Sequence, residues 1–288
     1  MPPQYDPIFD FIFNKDDASV LLWLEKGGNV NIRGPVRNTP LMHAIEVEMD
    51  SVILPLLQKG SNPNLKNTRK ENALVMALSS SKDPMVAIWL MEKSTIPIDP
   101  NLMSGDLPIL HLCMYYRRVD VFHFLLQRGA NPDAVGGNLG ESALFLLIDR
   151  LGEYCNEMIR LLLDHGANPN FYNQTHPHWR SHQSYLKLAI HNNQSELVKW
   201  LLDAGADVNF QDPFSGDTAL HYAALYRPNL IPYLAYRGAD KEIRNQDGKT
   251  PLDVVKETLE RMTNQPLSHG IHFEKKADVL QSLILLQS

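Results

Sequence analysis

The chain of 288 residues has only two cysteines, Cys113 and Cys155. Two thiols cannot supply a disulfide framework, so buried surface and hydrogen bonds must hold the fold, as in a protein made in a reducing compartment. Long hydrophobic runs are missing too: the apolar stretches fall well short of the roughly 20 residues that span a bilayer, and no membrane insertion is expected. The first residues lack the basic-then-apolar profile of a secretory signal, which points to a cytoplasmic location. There is no run of Lys and Arg, and the formal net charge is −6. A surface of that charge does not track a phosphate backbone, so nucleic acid is not an expected partner.

Signatures of catalysis are equally sparse. His176, His178 and His182 invite a metal reading, but no cysteine or acidic ligand shares their loop, and the spacing matches no usual zinc pattern. His111 and Cys113 are two apart, a spacing that does not bring side chains together on a helix. Gly136-Gly137-Asn138-Leu139-Gly140 has no preceding strand and no following Lys-Ser/Thr, as a phosphate-binding loop requires. Carboxylates are scattered, so no acid/base pair can be named. The sequence therefore implies no metal, no cofactor and no enzyme.

What the chain does have is a repeat. An apolar anchor returns at Leu41, Leu74, Ile109, Leu144, Leu186, Leu220 and Leu252, with gaps of 33, 35, 35, 42, 34 and 32 residues. Each lies just inside a helix start: Thr39, Ser142, Thr218 and Thr250 supply a hydroxyl that can accept from an early N–H, and Pro40 and Pro251 give up a donor that had no partner. A second amphipathic helix follows, as in Glu196-Leu197-Val198-Lys199-Trp200-Leu201-Leu202. Gly205 then ends it in a left-handed conformation, and an Asn/Asp-rich turn closes the unit. A unit of helix, turn, helix and finger cannot bury its own apolar face, so the units must stack. The 44% hydrophobic content suffices for such a core.

The best copy, Gly216-Asp217-Thr218-Ala219-Leu220-His221-Tyr222-Ala223-Ala224 closing on Gly238-Ala239-Asp240, resembles the ankyrin repeat, with its Thr-Pro-Leu-His-x-Ala opening and period near 33. Thr39-Pro40-Leu41 and Thr250-Pro251-Leu252 repeat the opening. Gly129-Ala130-Asn131-Pro132-Asp133, Gly166-Ala167-Asn168-Pro169-Asn170 and Gly205-Ala206-Asp207-Val208-Asn209 repeat the close. The resemblance covers nearly the whole chain and implies an all-α ankyrin-repeat solenoid with hairpin-like fingers, about seven to eight units including caps. Residues 1–36 are expected to be a divergent N-terminal cap, 37–247 the central repeats, and 248–288 a C-terminal cap with a terminal helix. In the family, the signature histidine bonds adjacent units. Here only His221 is in register, while His43 and His111 sit beside positions filled by Met42 and Leu110. Cys113 falls where the family buries a small alanine, so it reads as a core filler.

The resemblance also implies a concave surface, lined by inner helices and finger tips, that binds proteins. The residues expected to face it include Glu46 and Val47, Ser79 and Ser80, Met114 and Tyr115, Asp149 and Arg150, His191 and Asn192, and Leu225 and Tyr226. Unit three departs from the pattern, with Ser94 in place of the closing glycine and Pro97 and Pro100 nearby, so its finger should be distorted. Unit five departs further. Its anchor-to-glycine distance is 22 residues, Leu144 to Gly166, and its finger carries Tyr172, His178, Trp179 and Arg180 where a stack requires no aromatic. Insertions of this kind often sit on a binding face.

The reading that follows is a monomeric protein-interaction module. Alternatives are a small ankyrin-embedded enzyme dependent on thiol or metal, and an inhibitory regulatory subunit. The divergent units and Asn-rich closings are similar in style to ankyrin effectors of intracellular bacteria, which would place an adaptor in a host cytoplasm.

Overall fold

The computed structural model describes residues 5–80, 83–151, 155–170, 184–264 and 280–287. The chain divides into two compact units, residues 1–138 and 139–288, each a row of helix pairs. In the first unit the pairs are α1 (Ile8–Phe13) with α2 (Asp17–Glu25), α3 (Pro40–Glu46) with α4 (Ile53–Gln58), α5 (Ala73–Ser80) with α6 (Pro84–Lys93), and α7 (Ile109–Tyr115) with α8 (Val119–Gln127). Helices α1, α3, α5 and α7 pack in succession as an inner layer, with α2, α4, α6 and α8 outside them. The second unit holds α9 (Ala143–Leu146), α10 (Asn156–Asp164), α11 (Tyr185–His191), α12 (Ser195–Asp203), α13 (Ala219–Tyr226), α14 (Ile231–Tyr236) and α15 (Pro251–Asn264). Here α13 lies between α11 and α15, and α10 packs on α12. This is the stacking that short helices of four to fourteen residues require, since none could stand alone in water.

The anchors fill the core. Leu41, Leu74, Ile109, Leu144, Leu186 and Leu220 are each at most 2% exposed, whereas Leu252, in the last pair, is half-buried. The helix starts follow the expected chemistry. The Met42 N–H donates to Thr39 Oγ1 at 3.3 Å, the Phe145 N–H to Ser142 Oγ at 3.1 Å, and the Asp253 N–H to Thr250 Oγ1 at 3.2 Å. Asp253 Oδ2 accepts in return from the Thr250 N–H at 3.1 Å, closing a capping box. Asn72 and Ser184 perform the same task for α5 and α11. At the other end, Gly205 takes φ +91° while the Ala206 N–H reaches back to the Leu201 carbonyl at 2.8 Å.

Three irregularities are resolved differently from one another. In the third pair, Ser94 is extended rather than left-handed, and its hydroxyl donates to the Ile96 carbonyl at 2.8 Å. The finger beyond it is nonetheless a regular antiparallel hairpin of β1 (Met103–Ser104) and β2 (Leu107–Pro108), with Gly105 at φ +65° in its turn. The expected distortion is confined to the helix end, because the two prolines precede the hairpin and take no part in its pairing. In the fifth repeat, α9 runs into a π-helical turn, Leu147–Leu151, which buries both Leu147 and Ile148 and takes up part of the additional length. Helix α15 continues past Arg261 to Asn264. Helical residues 280–287 (α16) then cover α13, where the buried Ser282 hydroxyl donates to the Ala224 carbonyl at 2.7 Å.

The turns that close the repeats are built alike. In seven of them an Asn or Asp side chain (Asn29, Asn62, Asp99, Asn131, Asn168, Asp207 and Asp240) accepts from the N–H two residues on. In five of the seven the residue so positioned is an asparagine that points its own side chain at the next repeat. Asn31 Nδ2 donates to the Gly60 carbonyl at 3.2 Å while its Oδ1 accepts from the Asn62 N–H at 2.8 Å. Asn101 does the same with Gly129 and Asn131, Asn170 with Gly205 and Asp207, and Asn209 with Gly238 and Asp240. Asn64 donates to the Pro97 carbonyl at 2.8 Å, so the link survives even where the closing glycine is absent. The amides of Asn31, Asn101, Asn170 and Asn209 satisfy the helix-end carbonyl of one neighbour and the first free N–H of its turn together.

Asn209→Asp keeps the acceptor but loses the donor to Gly238. It is expected to cost about 1 kcal/mol, a fall in melting temperature of roughly 2–4 °C, and Asn209→Ala should cost more. Thermal unfolding of the two variants checks this; equal melting temperatures for Asn209→Asp and the parent would rule the clamp out as a stabilising element.

Candidate protein-binding surface

The residues expected to face a partner cluster at the C-terminal ends of the inner helices. In the first unit, Tyr115 is the last residue of α7 and is 79% exposed, its ring edge-on to Tyr116 at 5.0 Å between centroids. The chain around it is fixed: Arg117 holds φ +55°, and Arg118 Nε donates to the Leu78 carbonyl at 3.2 Å, tying the end of α7 to α5. Met114 is placed otherwise. It lies four residues after the buried Leu110, so it shares that helix's core face and is 5% exposed. Glu46, Ser79 and Ser80 are exposed, but the serine hydroxyls turn back to the Met76 carbonyl and Glu46 accepts from Asn38 Nδ2, which leaves Tyr115 as the large group on offer.

In the second unit, His191 at the end of α11 and Tyr226 at the end of α13 meet edge to face, 6.1 Å between centroids at 79°. Tyr226 is 49% exposed, and Leu225 is half-buried beside it in sequence. Asn192 is exposed as a residue, yet its Nδ2 donates to the Ile148 carbonyl at 3.1 Å, fastening α11 to the π-helical turn. Asp149 is half-buried within that turn. The Arg150 side chain, and Tyr172, His178, Trp179 and Arg180 of the long finger, lie outside the described residues. The exposed phenol of Tyr226 with His191 against it therefore forms the aromatic element of this unit.

Two internal polar networks hold α11 and α13 in place. His221 Nδ1 faces the Thr218 N–H at 3.2 Å, so the ring accepts there and its Nε2–H donates to the Lys249 carbonyl at 3.0 Å, joining α13 to the next finger. Met42 occupies the same register in the second repeat, where its sulfur can only accept, from the Thr39 N–H at 3.5 Å. Lys187 on α11 pairs with Asp212 of the following finger at 2.6 Å, and its ammonium lies 4.4 Å from the centre of the Tyr222 ring. Burial pushes the Asp212 carboxyl up, but the Lys187 ammonium and the N–H groups of Phe214 and Ser215 together outweigh it and hold the carboxyl below the usual range. Burial pushes Lys187 down, and its bonds to Asp212 and Tyr222 outweigh that and raise it.

Of the two thiols, Cys155 is half-buried and Cys113 is buried in the core. Cys113 is fully enclosed, and desolvation drives its thiol far above the ordinary range, so no thiolate forms there. Among the described residues no group of three or more His, Cys, Asp or Glu side chains is arranged to hold a metal ion. Among them, too, no helix is long and apolar enough to cross a membrane.

Three overlapping stretches, residues 41–136, 133–212 and 186–255, match the family model for ankyrin repeats. The chain belongs to the ankyrin-repeat family. This ankyrin array is 32% identical over 170 residues to the E3 ubiquitin-protein ligase KEG of Arabidopsis thaliana, covering 53% of the array and 10% of that protein. It is 42% identical over 71 residues to the E3 ubiquitin-protein ligase hecd-1 of Caenorhabditis elegans (24% of the array, 3% of the relative). It is likewise 42% identical over 73 residues to the BTB/POZ domain and ankyrin repeat-containing protein NBCL of Lotus japonicus (25% and 15%). The array thus spans at most 15% of the length of these relatives. Among solved structures, the ankyrin repeat domain of Bcl-3 aligns over 99% of both chains at 22% identity with a TM-score of 0.42.

The Lys187–Asp212 pair yields a pH prediction. Asp212, lowered in the fold, adds stability that is complete above the unfolded carboxylate value and drains away as pH falls through its native value. Lys187, raised in the fold, adds stability that is complete below the unfolded amine value and is lost as pH rises through its native value. Lys187→Met leaves the carboxylate buried without its cation and should cost about 3 kcal/mol at neutral pH. Urea midpoints should show that deficit constant between about pH 5 and 9 and shrinking on either side. A deficit that does not vary with pH would mean the loss is one of packing alone.

Proposed function

We propose that the chain captures a protein partner through the exposed aromatics at the ends of its inner helices, without catalysing a reaction. As an ankyrin-repeat array it is a protein–protein interaction module. The observation that carries the finer reading is the exposure of Tyr115 and Tyr226, large side chains that the stacks do not use, each standing on a hydrogen-bonded framework. Tyrosines of this kind bury a broad, fairly rigid area on binding while keeping a polar contact, which is why they dominate interface energetics. The long finger with Tyr172, His178, Trp179 and Arg180 is proposed as a second contact, on the strength of its composition and its length. Action as an adaptor inside a host cell remains a proposal drawn from the style of the sequence, and a translocation reporter fused to the chain tests it directly.

Affinity capture from a eukaryotic lysate, followed by titration of the partner recovered, tests the binding reading. Tyr115→Ala and Tyr226→Ala should each weaken the complex about tenfold or more with unchanged helical circular dichroism. Trp179→Ala measures the share of the long finger. Met114→Ala should instead lower stability by about 2–5 kcal/mol, since that side chain packs inward. Full affinity in both tyrosine variants would refute these contacts.

A further inference from the structure

The first two fingers share one hydrogen-bonded turn with the last. The Gly34 N–H donates to the Asn38 carbonyl, the Asn67 N–H to Glu71 and the Asn245 N–H to Lys249, all at 2.9 Å; the Arg37, Lys70 and Gly248 N–H groups return to the carbonyls of Gly34, Asn67 and Asn245. Arg37, Lys70 and Gly248 are therefore the same position, and all three are left-handed, at φ +60°, +64° and +73°. Glycine occupies that conformation freely, whereas a side chain clashes with its own backbone. In two successive fingers the chain places a cation there instead, and Val36, beside Arg37, is left-handed as well at φ +46°. A side chain kept in that region costs stability that a glycine would not.

More cations gather at the same place. Arg33 and Lys66 precede the two turns and Arg69 lies within the second, so the paired tips carry five cations against one carboxylate, Glu71, in a chain of net charge −6. Arg37, Lys66, Arg69 and Lys70 are exposed. Arg69 pairs with Glu71 at 2.8 Å, and among the described residues no carboxylate lies within ion-pair distance of Arg37, Lys66 or Lys70. The two tips are tied together: Arg33 Nη1 bridges the Arg37 and Lys66 carbonyls at 2.7 and 3.1 Å, and the Thr68 N–H donates to the Val36 carbonyl at 2.9 Å. The third finger ends it with the exposed Asp99 and Asp106.

We propose that the tips of the first two fingers form a cationic platform that takes an extended, carboxylate-rich segment of a protein partner. Guanidinium groups match carboxylates in two-point hydrogen bonds, and a platform two fingers wide suits a short segment. A nucleic acid is the poorer fit: five cations bounded by acidic residues offer few phosphate contacts, and the rest of the chain repels a polyanion. This inference rests on the reading of the chain as a protein-capturing array, but it concerns finger tips and not the helix ends that carry Tyr115 and Tyr226.

The test uses the full chain and three fluorescent probes in anisotropy titrations: an alternating glutamate–glycine peptide, its glutamine–glycine counterpart and a single-stranded DNA. The glutamate peptide should bind at low ionic strength, more weakly at about 0.15 M salt, and the glutamine peptide should not. The double variant Arg37→Gly/Lys70→Gly should bind about tenfold more weakly while melting no lower than the parent, because the turns are relieved. Arg37→Asn/Lys70→Asn, whose residues also tolerate the left-handed region, should behave alike and guards against a folding defect. No binding of the glutamate peptide, undiminished binding by both double variants, or tighter binding of DNA would each overturn the platform. Loss of the lysate partner in the tyrosine variants but not in the finger variants would sink this inference and leave the earlier one standing.

Discussion

A short helix pair with one apolar face has no stable existence by itself, so everything in this fold depends on how each pair is fastened to the next. Apolar packing supplies most of the free energy but is indifferent to register. Where a closing turn ends in asparagine, the side-chain amide of that residue supplies the register. Its donor reaches a helix-end carbonyl and its acceptor the N–H of the adjoining turn, and both partners lie on the next repeat. The amide is held for this by the Asx turn before it. Asparagine and not aspartate is needed for the full link, because a carboxylate has no hydrogen to give. Asp133, at the same register, can only accept.

Around that recurring link the chain varies what else joins neighbours. His221 bridges its own helix start to the next finger through both ring nitrogens, whereas Met42 in the corresponding place contributes only a sulfur acceptor. Lys187 and Asp212 place a charged pair where a neutral bond would serve, making one junction sensitive to pH at both extremes. These substitutions change the chemistry of a junction without changing its geometry, since the amide link and the buried leucine anchor are already in place.

The same division separates structure from function. Side chains that the stacks do not consume are found at the helix ends and the finger tips. At the helix ends they are aromatic and stand on rigid backbone; at the first two finger tips they are cationic and sit in strained turns. Burial also fixes the role of Cys113, because the enclosure that makes it a good core residue prevents it from ionising.

The anchors, the caps, the closing glycines and the family were legible in the sequence, because each is a local matter: periodicity, a hydroxyl before a helix, a residue without a Cβ. Tyr115 and Tyr226 could be placed by counting from the helix start, yet counting set Met114 beside them as an equal, and only packing showed it facing the core. The closing asparagines read as turn formers, and that each also reaches across to the next repeat needed the neighbour's carbonyl to be in view. The cations at 33, 37, 66, 69 and 70 form no run, so a search along the chain passes over them. Tertiary structure alone gathers them, because residues one repeat apart in sequence become adjacent when repeats stack, and charge acts through space rather than along the chain.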